Sequence, residues 1–343
     1  MPARRTPSAF GSIAPALALW VALSFPAPAR SAPDTTPAAP AAASAVQVPP
    51  PSPTAPAAPA LATPGRLRVM SYNLYNFFDV FDDPYTRDED TRVKPRREIV
   101  PLAQAIRKSN PDVIAVQEVE AEGLLRAFVN DHLGDQGYRH VLVMPTNSDR
   151  GGNLGLISRL PIERVSSHRW TDLSLPGDPQ SWRYARDVMQ VRLRASPKLV
   201  IEVFVVHLKS KIDSPSDKNS ARWRLSEARG LRALLDERLA AEPDALLCLM
   251  GDHNDEPDSP TIRTLTQPTP AGGAGMTDLH SHLPHGQRLT HRSQKYGDST
   301  LDYIFASPAL AKRSIRDGAR VLEDKELTAG SDHAPILAEF TLE

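Results

Sequence analysis

The sequence predicts an α/β domain in which β-sheets are packed inside helical layers. Composition supplies the first observation: 15 of the 33 prolines fall in the first 65 of 343 residues, so the folded unit is expected to start near Gly65 and to occupy 66–343. Beyond that point, apolar runs of strand length alternate with segments of helical period. Hairpin-like and β-α-β connections are mixed, and no fixed-period repeat is visible, which fits one layered domain.

Ahead of the domain, Arg4 and Arg5 precede an apolar run from Ile13 to Phe25, followed by the small residues Ala27, Ala29 and Ser31. This is the pattern of a secretory signal over 1–31, and the run is shorter than the roughly 20 residues that a bilayer span needs. Ala, Pro, Ser and Thr dominate 32–65, too few large apolar residues to offset ordering entropy, so a disordered tether is expected there. The chain is thus expected to be exported to the periplasm or the medium, without a stable membrane anchor. A single cysteine, Cys248 in Ala-Leu-Leu-Cys-Leu-Met, excludes a disulfide scaffold, an iron–sulfur cluster and a cysteine-based zinc site, and it reads as a buried strand residue. With 40 Lys+Arg against 41 Asp+Glu the chain is no polybasic coat, so any nucleic-acid contact must rest on local patches. No obligate protein partner is evident.

Within the domain, Leu67 to Tyr72 is a short β-rich run. Lys94-Pro95 opens a helical pattern through Ile99, Leu102, Ala103 and Ile106 that stops at Asn110-Pro111. Asp112 to Glu118 is a continuous apolar strand, and a second helix is expected from Ala121 to Leu133. Strands follow at Tyr138 to Met144, Asn153 to Ser158, Arg186 to Leu193 and Leu199 to His207, the last two joined by the turn-like Ala-Ser-Pro-Lys. Ala228, Leu231, Leu234, Leu235 and Leu239 mark the apolar face of a long helix starting near Asn219 or Ser220. Strands at Ala245 to Met250, Leu301 to Ala306 and Ala334 to Thr341 complete the pattern.

The polar residues fall where these strands end. Asn73, Glu118, His207, and Asp252 with Asn254 each follow an apolar run, while Asp302 opens one and Asp332-His333 precedes another. Strand ends of a layered sheet converge on one cleft. Carboxylate and amide oxygens suit a hard cation, and histidines among carboxylates suit proton transfer. That composition describes metal-assisted hydrolysis of a phosphate ester. Taken singly, each residue has an ordinary structural reading: a turn for Asn73 or Asp332, a helix cap for Glu118, interior hydrogen bonds for His207 and His333, a surface ion pair for Asp302. The ordered combination is what points to chemistry.

Ser-Tyr-Asn73-Leu, Gln117-Glu118-Val, His207-Leu-Lys-Ser, Gly251-Asp252-His253-Asn254, Leu301-Asp302-Tyr and Ser331-Asp332-His333-Ala-Pro resemble, in order, the motifs of the endonuclease/exonuclease/phosphatase superfamily. The resemblance runs from Leu67 to the C-terminus. It implies a four-layer α/β sandwich with two central mixed β-sheets flanked by helices, and a phosphodiesterase or phosphatase activity dependent on Mg²⁺, with Mn²⁺ as the alternative. Carried over by position, Glu118 is implied as the principal metal ligand, with Asn73 and Asp332 close by. His333, oriented by Asp302, is implied to work with the attacking water or the phosphate. Asp252 and Asn254 are implied to hold the nucleophile and a phosphate oxygen, His207 to contact the phosphate or protonate the leaving oxygen, and Arg186 to approach the scissile phosphate. Asn153, in the turn after Asp149-Arg150, is implied to line the cleft. Two positions depart from the pattern. Tyr75 stands where many relatives carry an acid, with Asp79 as a conceivable substitute, and His253 replaces the usual phenylalanine.

Lys209, Lys211, Arg222 and Arg224 follow His207 and form a basic set with two readings, a track for a nucleic-acid backbone or a solvated basic surface. The expected partner is therefore a nucleic-acid substrate, DNA being favoured because His207-Leu-Lys-Ser-Lys resembles secreted bacterial nucleases of the superfamily. The alternatives are a sphingomyelinase-like or small-molecule phosphodiesterase of the same fold, and an inactive binding module, for which Tyr75 is the one supporting feature. His280, His282 and His285 crowd one loop, but no acid or cysteine completes a zinc set.

Overall fold

Alternation along each central strand decides the layering, because one side chain in two faces the opposite sheet and the next faces a helix. The computed structural model describes residues 61–269 and 272–342, all within the unit Ala55–Glu343. The elements in chain order are β1 (Arg66–Phe77), α1 (Arg96–Ser109), β2 (Val113–Val119), α2 (Glu122–Leu133), β3 (His140–Met144) and β4 (Asn153–Ser158). Next come β5 (Ile162–Ser167), β6 (Leu173–Ser174), β7 (Ser181–Trp182), β8 (Val188–Ser196), β9 (Leu199–His207), α3 (Ala221–Ala241) and β10 (Leu247–Asp252). The chain finishes with α4 (Pro260–Thr266), β11 (Thr277–Asp278), β12 (Asp302–Ala306), α5 (Pro308–Ala311), β13 (Ser314–Val321) and β14 (Ile336–Thr341).

Two mixed six-stranded sheets result, in the orders β13-β14-β1-β2-β4-β3 and β11-β12-β10-β9-β8-β5, with β6 and β7 forming a separate ribbon. In the first, β1 runs parallel to β2 and antiparallel to β14; in the second, β10 runs parallel to β9 and antiparallel to β12. Three apolar clusters bind the layers together. Leu67, Val69, Val113 and Ala115 of the first sheet meet Val203, Val205, Met250 and Ile304 of the second in a central core. Met70, Tyr72, Ile114 and Val116, in the opposite phase, pack against Leu102, Ile106, Leu125 and Phe128 of α1 and α2. Phe204, Val206, Leu249 and Phe305 likewise pack against Leu231, Leu235 and Ile262 of α3 and α4. This is the four-layer sandwich that the resemblance implied.

The same phase positions the polar strand ends. Asn73 alternates with Leu67 and Val69, His207 with Val203 and Val205, Asp252 with Cys248 and Met250, and Asp302 with Ile304, so all four point between the sheets at one end. Register then makes them neighbours, since Asp252 lies opposite His207 on one side and Asp302 on the other. Cys248 is fully buried in this central core.

The predicted strands and the three long helices occur within a few residues of their expected bounds. β5 and β13 were not anticipated. Both are outer strands whose exposed residues blur the apolar alternation, as in Ser-Ile-Arg-Asp-Gly-Ala-Arg-Val. The signal segment 1–31 and the tether up to residue 60 lie outside the described residues. Residues 61–65 are described, and there the Ala62 N–H donates to Asp112 Oδ1 at 2.7 Å while Leu61 packs on the central core. Among the described residues, no helix is long and apolar enough to cross a membrane.

Gly251 is the tightest point of this arrangement. Its φ is +146°, and a Cβ there would sit 2.0 Å from the Val206 carbonyl oxygen on β9. Gly251→Ala is therefore expected to lower stability by about 1–3 kcal/mol or more, read as a shift of the urea midpoint at unchanged slope, because either the β9–β10 pairing or the backbone must give way.

Candidate active site

Regular alternation would turn Glu118 toward α1 and α2. Instead its backbone takes a left-handed φ of 62°, and the pairing of β2 shifts register between Gln117 and Val119. This local break turns the carboxylate into the cleft. Glu118 Oε2 accepts the Asn76 N–H at 3.0 Å and Oε1 accepts Asn73 Nδ2 at 3.3 Å. Asn73 also donates from Nδ2 to Asp252 Oδ2 at 3.1 Å, while its Oδ1 accepts the Tyr75 N–H at 2.9 Å. That backbone donor fixes the amide, so Asn73 clamps two carboxylates and turns its oxygen away from them.

The histidines approach from the second sheet and from the loop before β14. His207 Nε2 lies 3.5 Å from Asp252 Oδ2 and 3.9 Å from Glu118 Oε1. His333 Nδ1 is hydrogen-bonded to Asp302 Oδ2 at 2.7 Å, leaving Nε2 3.8 Å from Asp252 Oδ2 and 3.9 Å from Asp332 Oδ1. Ser331 fixes this loop, donating to the Asn73 carbonyl at 2.7 Å and accepting the His333 N–H at 3.0 Å. Asn254, at φ 53°, donates its N–H to Asp252 Oδ1 at 2.8 Å and its side-chain amide to the Leu208 carbonyl at 3.0 Å. Arg186 Nη1 reaches the same carbonyl at 3.3 Å and lines a small pocket with Glu118, Arg150, Asn76 and His207.

Burial and charge separate the proton affinities of these groups. Burial raises the Asp252 carboxyl to about 7; His333 opposes the rise, and Asp302 and Glu118 add to it. Burial alone would lower His333, but the charge and hydrogen bond of Asp302, reinforced by Asp252 and Asp332, override it and hold the ring at about 10. His207 goes the other way, pushed well below its ordinary value by burial and then by the Arg186 charge. Burial raises Asp332 to about 6, against His333 and with help from Glu118. Asp302 Oδ1 and Asp332 Oδ1 are buried without a hydrogen-bond partner. The cleft thus joins an imidazolium, a neutral imidazole, two buried carboxylates (Asp252 and Asp302) and two partly buried ones (Glu118 and Asp332).

The family model described as "Endonuclease/Exonuclease/phosphatase family" matches residues 70–333, a span that contains all of these side chains. The chain belongs to that family. Solved structures agree in fold. The human Nocturnin catalytic domain with bound sulfate anion superposes with a TM-score of 0.56 at 16% identity, covering 81% of this chain and 94% of that one. Truncated Caenorhabditis elegans TDP2 gives 0.54 at 16%, covering 80% and 97%. An AP endonuclease from Archaeoglobus fulgidus gives 0.53 at 18%, covering 80% and 99%. No curated protein matches the chain by sequence.

Within this family site, the fold brings together Asn73, Glu118, Arg186, His207, Asp252, Asn254, Asp302, Asp332 and His333. Other expected residues are engaged elsewhere. Asn153 is held by backbone, accepting the Thr146 N–H at 2.9 Å and donating to the Glu120 carbonyl at 2.7 Å. Arg222 is paired with Asp178, Nε to Oδ2 at 2.7 Å, and lies over the Trp182 ring. Arg224 is buried against Asp255 at 3.0 Å and donates to the Lys209 and Asn219 carbonyls. Both arginines therefore brace the loop after β9 and present no free guanidinium to a phosphate chain. Lys211 lies 3.5 Å from Glu256, and Lys209 sits half-buried over the Trp223 ring. His253 is fully buried, edge-on to Tyr303 and Phe305, with burial lowering it to about 4, so it serves packing. Tyr75 is partly exposed at φ 50°, its carbonyl accepting from Lys94 Nζ at 2.9 Å. Asp79 Oδ1 accepts the Phe81 N–H at 2.7 Å.

Two residues at the site escaped the sequence reading. Glu227 on α3 accepts the Ala185 and Lys209 N–H groups at 2.7 and 2.6 Å, fixing the backbone just before Arg186 and just after His207. Its sequence signal was an acid directly beside the apolar positions Ala228, Leu231 and Leu235 of the helix. His291 lies against His333, ring centroids 4.9 Å apart and the planes tilted by 53°, and nothing in Leu-Thr-His-Arg distinguishes it as a strand-end residue.

Proposed function

We propose that this chain is an exported, divalent-cation-dependent phosphodiesterase whose substrate is DNA. The observation that carries the reading is the buried set in which Asn73 holds Glu118 and Asp252 together while Asp302 holds His333. An inert module would have no reason to set the buried Asp252 and the partly buried Glu118 and Asp332 beside two buried histidines.

Glu118 and Asp332 supply hard oxygens, and the partnerless Asp332 Oδ1 suits Mg²⁺ or Mn²⁺, with Asn73 positioning Glu118 for that task. A cation bound there would offset the phosphate charge and orient one of its oxygens. The protein's own groups divide the proton work. His333, held protonated, offers Nε2–H to a phosphate oxygen. Asp252, at about 7, accepts the proton of the attacking water near neutral pH, and Asn254 keeps its other oxygen occupied. His207, neutral, can donate a hydrogen bond to the leaving side, and Arg186 adds positive charge at the pocket wall.

The test is a substrate panel with and without Mg²⁺ or Mn²⁺. Plasmid and linear DNA are expected to be degraded, and sphingomyelin vesicles and inositol phosphates to be left nearly untouched. Because Arg222 is committed to Asp178, its replacement by alanine should leave the salt dependence of DNA binding unchanged. Replacing Lys209 and Lys211 together should flatten it by about one to two slope units. Equal effects from both changes would remove DNA from this face.

A lipid phosphodiester is the second reading. Val80 and Phe81, just beyond Phe78 of the pocket wall, are each 75% exposed, and Tyr85 is 94% exposed. Turnover that follows vesicle surface area, and is lost in Phe81→Ser, would favour it over DNA.

A further inference from the structure

Much of the basic set that follows His207 is engaged with acids, but other cations stand at the same end of the second sheet. Ser167, the last residue of β5, pairs with Met189, and Val188 at the start of β8 pairs with Val206, one residue short of His207. The chain just beyond β5 and just ahead of β8 therefore emerges beside the cleft. Asn147 ties these segments together. Its N–H donates to the Arg186 carbonyl at 3.1 Å, and its side-chain amide donates to the Arg169 carbonyl at 2.7 Å and the Tyr184 carbonyl at 2.9 Å. The His168 N–H adds a bond to Asp187 Oδ1 at 2.8 Å. The loop that carries Arg169 and Trp170 is thus fixed next to Arg186, which lines the pocket with Glu118 and His207.

This loop displays an aromatic ring among cations. Trp170 is 60% exposed, and the guanidinium carbons of Arg169 and Arg183 lie 4.9 and 5.3 Å from its ring centroid. Arg169 has no acid partner among the described residues and donates to the Pro145 carbonyl at 2.9 Å. Arg183 meets Asp172 at 3.3 Å, a pair between two exposed side chains that leaves most of its charge available. The strip continues toward His207, because Trp223 Nε1 donates to the Arg183 carbonyl at 2.8 Å and Lys209 lies over the Trp223 ring. Aromatic and basic groups interleaved in this way suit a flexible nucleic-acid strand, whose bases stack on indole and guanidinium planes while its phosphates meet the charges. A ring that enters a membrane needs apolar area around it, and Ser-His-Arg-Trp170-Thr-Asp supplies none.

We propose that Trp170, with Arg169 and Arg183, forms a base-stacking platform for an unpaired nucleotide of the substrate, beyond the scissile phosphate; this rests on the DNA reading of the cleft. Bases inside a duplex already stack on one another and must be extruded before a side chain can take their faces. The platform therefore favours single strands and frayed ends over the interior of a duplex.

Fluorescence anisotropy of a labelled single-stranded oligonucleotide, with the full chain in chelator, tests this. Trp170→Ala should weaken binding about five- to hundredfold, the range for losing one stacked base, and Trp170→Phe should restore most of it. Neither change should alter binding of inorganic polyphosphate, which carries charge but no bases. Arg169→Gln combined with Arg183→Gln should weaken both ligands and lower the salt slope for the oligonucleotide by about 1.4 units. In turnover with Mg²⁺, Trp170→Ala should raise KM for single-stranded DNA at nearly unchanged kcat and leave duplex cleavage little affected. Its melting curve should match the wild type, since the ring is mostly exposed. A chain that binds and degrades single-stranded DNA equally well with and without Trp170 would overturn the platform and leave the nuclease reading intact. Equal losses of oligonucleotide and polyphosphate in Trp170→Ala would also overturn it, by reducing the surface to charge alone. Vesicle binding that depends on Trp170, where oligonucleotide binding does not, would assign the ring to a membrane instead. A wild-type chain that neither binds nor cleaves DNA would remove the DNA reading itself, and the platform with it.

Discussion

His333→Ala is expected to cut turnover by about 10²-fold or more, with a smaller effect on substrate binding, because the removed group faces the reacting phosphate and not the bulk of the ligand. Asp302→Asn should reproduce most of that loss. The 2.7 Å hydrogen bond from His333 Nδ1 to Asp302 Oδ2 both orients the ring and keeps it protonated, and an amide in that place keeps the shape without the charge. Separate steady-state measurements of kcat and KM for both variants decide the point; near-full turnover in either would make His333 a structural histidine. The pair also predicts a pH signature in chelator. The folded-state affinity of His333 is raised to about 10 from an ordinary 6.5, so its stabilising contribution is complete below pH 6.5 and disappears as pH rises through 10. Asp252 acts in the same sense, since Asp302 helps to raise it and its removal relieves that strain only where Asp252 would ionise. The melting-temperature gap between wild type and Asp302→Asn should therefore be widest near pH 6 and narrow toward pH 10.

The strand-end residues were legible because two simple periodicities coincide. Val-Phe-Val-Val-His207 and Leu-Cys-Leu-Met-Gly-Asp252 carry buried strands straight into polar groups, and alternation alone assigns those groups to the face that Val205 and Met250 share. What could not be read is anything requiring a partner distant in the chain. Arg222 and Arg224 look like a basic patch until Asp178, 44 residues away, and Asp255, 31 residues away, arrive to pair with them. Asn153 looks free until the Thr146 N–H and Glu120 carbonyl take both ends of its amide. His291 has no strand to announce it, and only its bridge to His333 places it at the site. Glu118 is the subtlest case. Its place at a strand end was legible, but its direction depends on a left-handed backbone that a β-rich run such as Val-Ile-Ala-Val-Gln-Glu does not advertise. Residue identity and alternation gathered the polar strand ends into one cleft, while the accessory residues were set by long-range pairing.

Glu118→Gln is expected to produce the other large effect. The carboxylate is held from two sides, by Asn73 Nδ2 and by the Asn76 N–H, at a point where the chain adopts a strained conformation to deliver it. Glutamine keeps the size of the side chain but removes the negative charge that retains a hard divalent ion, so Mg²⁺ affinity and Mg²⁺-supported turnover should both fall at least tenfold, with turnover partly recovered at high Mg²⁺. Because Tyr75 stands beside Asn73 without an acid, the charge lost at Glu118 has only Asp332 to compensate for it within the proposed hard-ligand set. The melting curve in chelator should change little or rise, since the substitution removes one of several crowded acids near Asp252 and Asp332, whose affinities Glu118 raises. Isothermal titration with Mg²⁺ separates the possibilities. A variant that binds Mg²⁺ normally yet is inactive would move the cation away from Glu118, and wild-type turnover that survives exhaustive chelation would remove the cation from the reaction altogether.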